Sequence, residues 1–313
     1  MKKTIMMAAL VAVVCFIGAC TKEGVYNPSE KISKVYESST YKAEYLDGNT
    51  WREAYNESSP KTLRETWNWD GKKLMSVNHY DSEGKIEADE TINFTYDGKR
   101  LTKISGAEAG NYADITYDGS VIDKIQIYTN SVPMATVTFT YDGKKVSQIV
   151  YTYASNVDMD KAPKSFALLD FINHTMTPTN NENLTAMIRK DAAKGSNSMT
   201  MTYTWDGKNI SNETYSNGNY SHSIAYSYDN KSNPYKGFVL GYFEGETVLA
   251  ASKNNVTKAV STYSEGSRTE TETTEYTYEY DGKWPVSRTY SYGSSDETYR
   301  STGTNVTYFE YVD

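Results

Sequence analysis

Cys20 is the residue whose surroundings most directly specify a reaction. It follows Ile17-Gly18-Ala19, which closes an apolar run from Ile5 to Ile17, and Lys2 and Lys3 supply a positive start. This is the three-part pattern of a secretory signal ending in a lipobox, where a peptidase cuts before a diacylated cysteine. The run is shorter than the roughly 20 apolar residues of a spanning helix. Of the two cysteines, the other, Cys15, lies in the segment to be removed. The mature chain is therefore expected to form no disulfide, although an exported protein meets conditions that permit one.

The remaining candidates for chemistry weaken on inspection. Asn156-Val157-Asp158-Met159-Asp160 places oxygen donors at alternate positions, like the start of a calcium loop. Lys161 stands where that loop needs Gly, and Ala167 where it needs a closing Glu, so a polar loop is the better reading. His79, His174 and His222 are scattered without metal-ligand spacing, and no metalloprotease, nucleophile-elbow or dinucleotide-binding motif occurs. No catalytic residue, cofactor or metal is expected, and the chain reads as a non-enzyme. A hydrolase would need two carboxylates brought together on the concave face of the sheet. The aromatics are a separate case, because flat amphipathic rings stack on sugars. Trp51, in a polar stretch, and Tyr276 and Tyr278 are the candidate ligand-binding residues.

The elements that would position them come from a repeat. Trp69-Asp70-Gly71, Tyr96-Asp97-Gly98, Tyr117-Asp118-Gly119, Tyr141-Asp142-Gly143, Trp205-Asp206-Gly207, Tyr228-Asp229-Asn230 and Tyr280-Asp281-Gly282 recur along the chain. Before each aromatic the pattern alternates, as in Ile92, Phe94 and Tyr96 against Asn93 and Thr95, so one face is buried. Asp-Gly predicts a tight type I′ hairpin turn. The return strand then carries apolar residues three apart, Leu101 and Ile104 or Val146 and Ile149, which breaks alternation and predicts a bulge or a strand covered on both faces. Trp69 and Trp205 replace Tyr in the repeat and read as structural. The Asp residues beside Gly read as turn chemistry, not as an acidic array.

Two gaps in the repeat are insertions. Over about 155–198 the alternation gives way to two short helical patterns, one opening at Pro163 and one near Asn181. Over about 233–258, Phe238-Val239-Leu240 and Tyr242-Phe243 suggest a short helix or an irregular apolar plug. From Thr269 to Tyr280 a long Thr/Glu/Tyr strand is predicted to begin exposed on both faces and end within the sheet. The expected organisation is a signal peptide over 1–19, a lipidated tether over 20–33 and a single antiparallel β domain over 34–313. With 29 Tyr among 313 residues, the fold class is all-β: a repeat-built meander forming a curved sheet or open barrel, with a small helical insertion.

Charge narrows the partners. Without Lys2 and Lys3, the 32 basic residues fall to 30 against 40 acidic ones. So acidic a chain, with no basic block, is expected to bind neither nucleic acid nor anionic headgroups, leaving membrane contact to the lipid on Cys20. The repeat turns, together with Tyr228-Asp-Asn-Lys-Ser-Asn-Pro-Tyr235 and Ser252-Lys-Asn-Asn-Val256, resemble a group of lipoproteins from Bacteroides-type gut bacteria. That resemblance implies a porin-like domain of unknown function, and it brings no catalytic residues. The turns are also distantly similar to the YD repeats of Rhs-type shells. Rows interrupted by Thr, Asn, Lys and Glu point away from a lipid-facing barrel. The expected location is the cell envelope, anchored by lipid at the outer membrane, on a face the sequence leaves open. Three roles follow: a binding module for a glycan or another envelope protein, a structural or assembly-assisting lipoprotein, and the hydrolase named above.

Overall fold

The computed structural model describes residues 26, 28–154, 198–216, 220–242, 247–295 and 297–312. These form the strands β1 (Ile32–Asp47), β2 (Thr50–Asp70), β3 (Lys73–Tyr80), β4 (Ile86–Asp97), β5 (Arg100–Ser105), β6 (Tyr112–Asp118), β7 (Val121–Thr129) and β8 (Val132–Asp142). They continue as β9 (Lys145–Tyr153), β10 (Ser198–Asp206), β11 (Asn209–Ser216), β12 (Tyr220–Tyr228), β13 (Val256–Glu265), β14 (Arg268–Asp281), β15 (Trp284–Ser295) and β16 (Tyr299–Tyr311). Each strand pairs antiparallel with the next, and β1 also pairs with β16. The all-β meander is therefore a closed barrel, where the sequence suggested a curved sheet or an open one. Closure leaves no unpaired edge. The helices expected over 155–198 lie outside the described residues, apart from Ser198 at the start of β10.

The repeat turns all lie at one end, the floor, and the alternate connections lie at the other, the mouth. At the floor Asp70 pairs with Lys73 and Asp97 with Arg100, so the two turn residues are Gly-Lys and not Asp-Gly. Gly71 and Gly98 have φ of 54° and 57°, and the Lys after each has no positive φ. That is a II′ pattern, with Gly first, in place of the expected I′. Asn130 and Ser131, at φ 50° and 64°, form the turn in which both central residues are left-handed, and it lies at the mouth between β7 and β8.

The apolar pairs three apart mark bulges. Register shifts between Thr95 and Tyr96 and between Thr140 and Tyr141, so that Thr102 and Ser147 are the extra residues of the return strands. Beside each bulge, the carbonyl of the first residue of the three-apart pair accepts a hydrogen bond from an aromatic side chain of the next hairpin. Trp69 donates to Ile32, Tyr96 to Leu74, Tyr117 to Leu101, Tyr141 to Ile122, Trp205 to Val146, Tyr228 to Ile210, Tyr278 to Val256 and Tyr311 to Pro285, all at 2.5–2.9 Å. This ring explains why the repeat uses Tyr or Trp and not Phe: a ring that packs inward must also carry a donor. Cations following the turns lie over the next aromatic, Lys73 over Tyr96 at 5.3 Å and Lys145 over Trp205 at 5.5 Å.

The closure is itself a copy of the repeat, split between the two ends of the barrel sequence. Tyr311 supplies the aromatic, and Ile32 and Val35 are the apolar pair, with a register shift between Ile32 and Lys34. Val312 N–H donates to the Lys31 carbonyl at 2.8 Å. Hydrogen bonds thus replace the covalent turn that the other copies possess.

Between β12 and β13 the tight turn is replaced by the second insertion, which holds both elements the sequence allowed. A 3-10 turn (Val239–Tyr242) and the helix α1 (Thr247–Ala251) fold into the floor as an apolar plug. Phe238, 1 % exposed, meets Trp67 at 4.9 Å and Tyr26 at 5.0 Å between ring centroids. The Asn233 amide ties the plug together by donating to the Leu249 and Ser252 carbonyls. A barrel of this strand number leaves a wide lumen unless something fills it; here the plug closes one end. Tyr26, placed by the sequence in a tether, is buried there and donates to the Pro234 carbonyl at 2.5 Å.

The outer rows are polar. Thr200, Thr202 and Thr204 on β10 and Ser221, Ser223 and Ser227 on β12 oppose the buried inward rows of those strands. Cross-strand ion pairs such as Lys103–Asp114 at 3.8 Å and Lys258–Glu275 at 3.1 Å lie on the same outer surface. A lipid-facing barrel needs an apolar band there, and a Lys or Arg at mid-bilayer costs about 2–4 kcal/mol. The outer wall of the described strands is suited to water.

Candidate functional site

Two regions of the inner surface hold chemistry that packing alone does not require. The first lies beside the plug. In the repeat, the second residue of each apolar pair is Val77, Ile104, Ile125 or Ile149, but two copies place Glu213 and Arg288 there. Glu213 is 5 % exposed, and burial pushes its carboxyl up to about 8 despite a hydrogen bond with Tyr226. Arg288 donates to Thr307 at 3.3 Å and lies over the Tyr276 ring at 5.9 Å. Across the barrel seam Glu65, 1 % exposed, accepts from Trp67 Nε1 at 2.7 Å and stands 3.7 Å from His79 Nε2. Arg64, the extra residue of a bulge in β2, pairs with Glu37 at 3.5 Å. The Tyr235 hydroxyl reaches into this group without a hydrogen-bond partner, and its proton is held tightly, first by burial and then by Glu65.

The second region is the inner face of a tall wall. Measured from a common floor, β1, β2, β14, β15 and β16 have 16, 21, 14, 12 and 13 residues, whereas β5 and β6 have 6 and 7. Each added residue extends a strand by about 3.3 Å, so one side of the mouth stands above the other. Register places Tyr41 opposite Gly303, Ala43 opposite Tyr55 and Tyr45 opposite Tyr299, all on the inward rows. Tyr292 also faces Gly303, and its ring lies over that glycine, where a β-carbon would collide with it. Below them Tyr290 stacks on Tyr292 at 5.5 Å and meets Tyr276 at 5.7 Å. The row runs from the floor to the rim. At the rim, Tyr45, Tyr55, Tyr292 and Tyr299 keep 45, 60, 37 and 36 % of their surface exposed. Tyr41 and Tyr299 share a hydroxyl–hydroxyl hydrogen bond of 2.9 Å.

The residues singled out in the sequence fall in different places. Tyr276 faces inward at the foot of the tyrosine row and is 4 % exposed. Tyr278 is committed to the ring of aromatic donors through the Val256 carbonyl. Trp51 pairs with Leu46 on the outward row, with Arg300 over its ring at 4.6 Å and Arg300 bonded to Glu44. The rows therefore separate Trp51 from Tyr276 and Tyr278. As expected, β14 is exposed from Arg268 to Thr273 and enters the core at Thr274 and Tyr276. His222 bonds Ser261 at 2.7 Å, and burial lowers its pKa. Among the described residues no three His, Cys, Asp or Glu side chains are grouped to hold a metal ion. Cys20 and the Asn156–Asp160 loop lie outside them.

Charge is unevenly divided between the ends. The floor carries Lys31, Lys72, Lys73, Lys99, Arg100, Lys144, Lys145, Lys208, Lys231, Lys253 and Lys283, against Glu30 and the turn residues Asp70, Asp97, Asp118, Asp142, Asp206, Asp229 and Asp281. Among the described residues acids prevail at the mouth, where Glu44, Asp47, Glu53, Glu57, Asp81, Glu83, Glu265, Glu270 and Glu297 face Lys42, Arg52, Lys85, Arg268 and Arg300.

No protein-family model matches the chain, and no curated protein sequence does. Among solved structures, a porin-like protein from Bacteroides uniformis aligns over 93 % of this chain and 100 % of its own, at 12 % identity and a TM-score of 0.47. A porin-like protein from Bacteroides vulgatus aligns over 90 % of this chain and 99 % of its own, at 10 % identity and a TM-score of 0.31.

The wall tyrosines were missed in the sequence because Tyr41, Tyr45, Tyr55, Tyr292 and Tyr299 lie outside the Asp-Gly phrases. Only Tyr290-Ser291-Tyr292-Gly293 in β15 alternates visibly; Tyr41, Tyr45, Tyr55 and Tyr299 stand among charged and small residues with no common pattern.

Proposed function

We propose that the chain is a non-catalytic binding module of the cell envelope, anchored through a lipid on Cys20, and that its ligand meets the tyrosine row of the tall inner wall. The observation that carries this reading is the set of rim tyrosines left exposed on inward rows, above a floor sealed by the plug. Inward positions beside them, such as Glu272 and Asn305, are also exposed, but here flat rings and hydroxyls stand together, the combination that stacks on a sugar face and bonds its rim. A glycan is therefore favoured over a protein partner. The outer membrane is the proposed location, and the Tyr row needs neither cofactor nor metal.

Binding of the lipid-free Cys20→Ala chain to a glycan panel tests this, with an envelope pull-down beside it. Saturable glycan binding that is lost in Tyr55→Ala/Tyr299→Ala supports the proposal. Capture of one envelope protein through the same tyrosines would transfer the site to a protein partner. Silence in both would leave the structural or assembly role. Protease digestion of intact and lysed cells separates the two faces: cutting before lysis places the mouth outside the cell.

A further inference from the structure

We infer that the floor is the membrane-facing end of the barrel and that its basic turns rest on anionic lipid headgroups, with the mouth directed away from the bilayer. Two observations meet here. The chain enters the barrel at the floor: Tyr26 is locked against Trp69 and Phe238 at 5.6 and 5.0 Å, and β1 begins beside it. Five residues lie between Cys20 and Tyr26, so the six chain steps span at most about 20 Å. A lipid on Cys20 therefore holds the floor, and not the mouth, against the bilayer.

The same end gathers the cations. The sequence shows no basic block because they are spread at repeat spacing, in pairs such as Lys72 and Lys73 or Lys144 and Lys145. Closure of the ring brings each pair to one end. Lys72, Lys144 and Lys208 are exposed there, while among the described residues acids outnumber bases at the mouth. Within a Debye length of an anionic surface each Lys adds attraction, and the acidic end is repelled. The direction of the tether depends on the lipid at Cys20, but the headgroup contact is a property of the folded barrel and can be measured without it.

The test is co-sedimentation of the lipid-free Cys20→Ala chain with vesicles of phosphatidylcholine alone or with about one third phosphatidylglycerol, at low and physiological salt. Two variants make equal charge changes: Lys72→Glu/Lys144→Glu/Lys208→Glu at the floor and Arg52→Glu/Lys85→Glu/Arg268→Glu at the mouth. Circular dichroism melts confirm that both fold. The chain is expected to partition into anionic vesicles in a salt-sensitive way, with the floor variant losing about tenfold or more and the mouth variant losing nothing. Equal partition into both vesicle types, or equal loss from both variants, overturns the inference. So does capture by a soluble polyanion without vesicle binding. Release of the Cys20→Ala protein from cell membranes reports on the anchor separately.

Discussion

The floor and the tall wall use the same residue, tyrosine, for opposite ends. In the floor ring the hydroxyls of Tyr96, Tyr117, Tyr141, Tyr228, Tyr278 and Tyr311 are spent on carbonyls of the neighbouring hairpin, and burial raises the pKa, to about 12 for Tyr117. At the rim the hydroxyls bond one another or face water, and Tyr55 keeps 60 % of its surface exposed. Context, not residue type, separates structure from candidate function. A tyrosine beside a bulge carbonyl fastens one hairpin to the next; at the rim Tyr41 and Tyr299 bond each other, side chain to side chain.

Changes at the floor should therefore damage stability, and changes at the rim should spare it. The largest expected effect is Phe238→Ala, which empties the centre of the plug and should cost about 3–5 kcal/mol in thermal or urea unfolding. Glu213→Gln comes next and has a pH signature. Its folded pKa of about 8 lies above the usual carboxylate value, so the folded state holds a proton that the unfolded state releases. Stability from this group is full below about pH 4.5 and declines as pH rises through about 8. The isosteric Gln should remove that decline, worth on the order of a few kcal/mol, leaving the variant relatively more stable at pH 8 than at pH 5. Removing one donor from the floor ring by Tyr117→Phe should cost about 0.5–1.5 kcal/mol while leaving ligand binding intact. Smallest in stability are Tyr55→Ala and Tyr299→Ala, within about 0.5 kcal/mol by the same melts.

Much of the fold was legible because its determinants are local. The phrase around Tyr96-Asp97-Gly98 displays alternation, turn and return pair within a dozen residues, and the three-apart pair Leu101 and Ile104 exposed the bulge. Whether the sheet closes was left open by the sequence, because Tyr36 meets Tyr308 only across nearly the whole chain. Its signal was nevertheless present: Lys31, Ile32 and Val35 have the cation and apolar pair of a return half without an aromatic-Asp-Gly phrase before them. The turn type was misassigned because Asp-Gly was taken as the turn centre, whereas Asp pairs in the ladder and Gly-Lys turns. At the site, Tyr276 was read from a long Tyr/Glu strand, but whether it lay inside or outside depended on register. The charged residues Glu213 and Arg288 occupy positions that four other copies fill with Val or Ile. Aligning the copies, not reading each alone, would have exposed them.

The most direct test of the division between floor and rim is glycan binding by three proteins in parallel: the Cys20→Ala chain, its Tyr55→Ala/Tyr299→Ala variant and its Tyr117→Phe variant. The account predicts that one glycan class binds the first and third alike and fails to bind the second, although the second melts like its parent. Unchanged binding by the rim variant, or no glycan bound by any of the three, would contradict it.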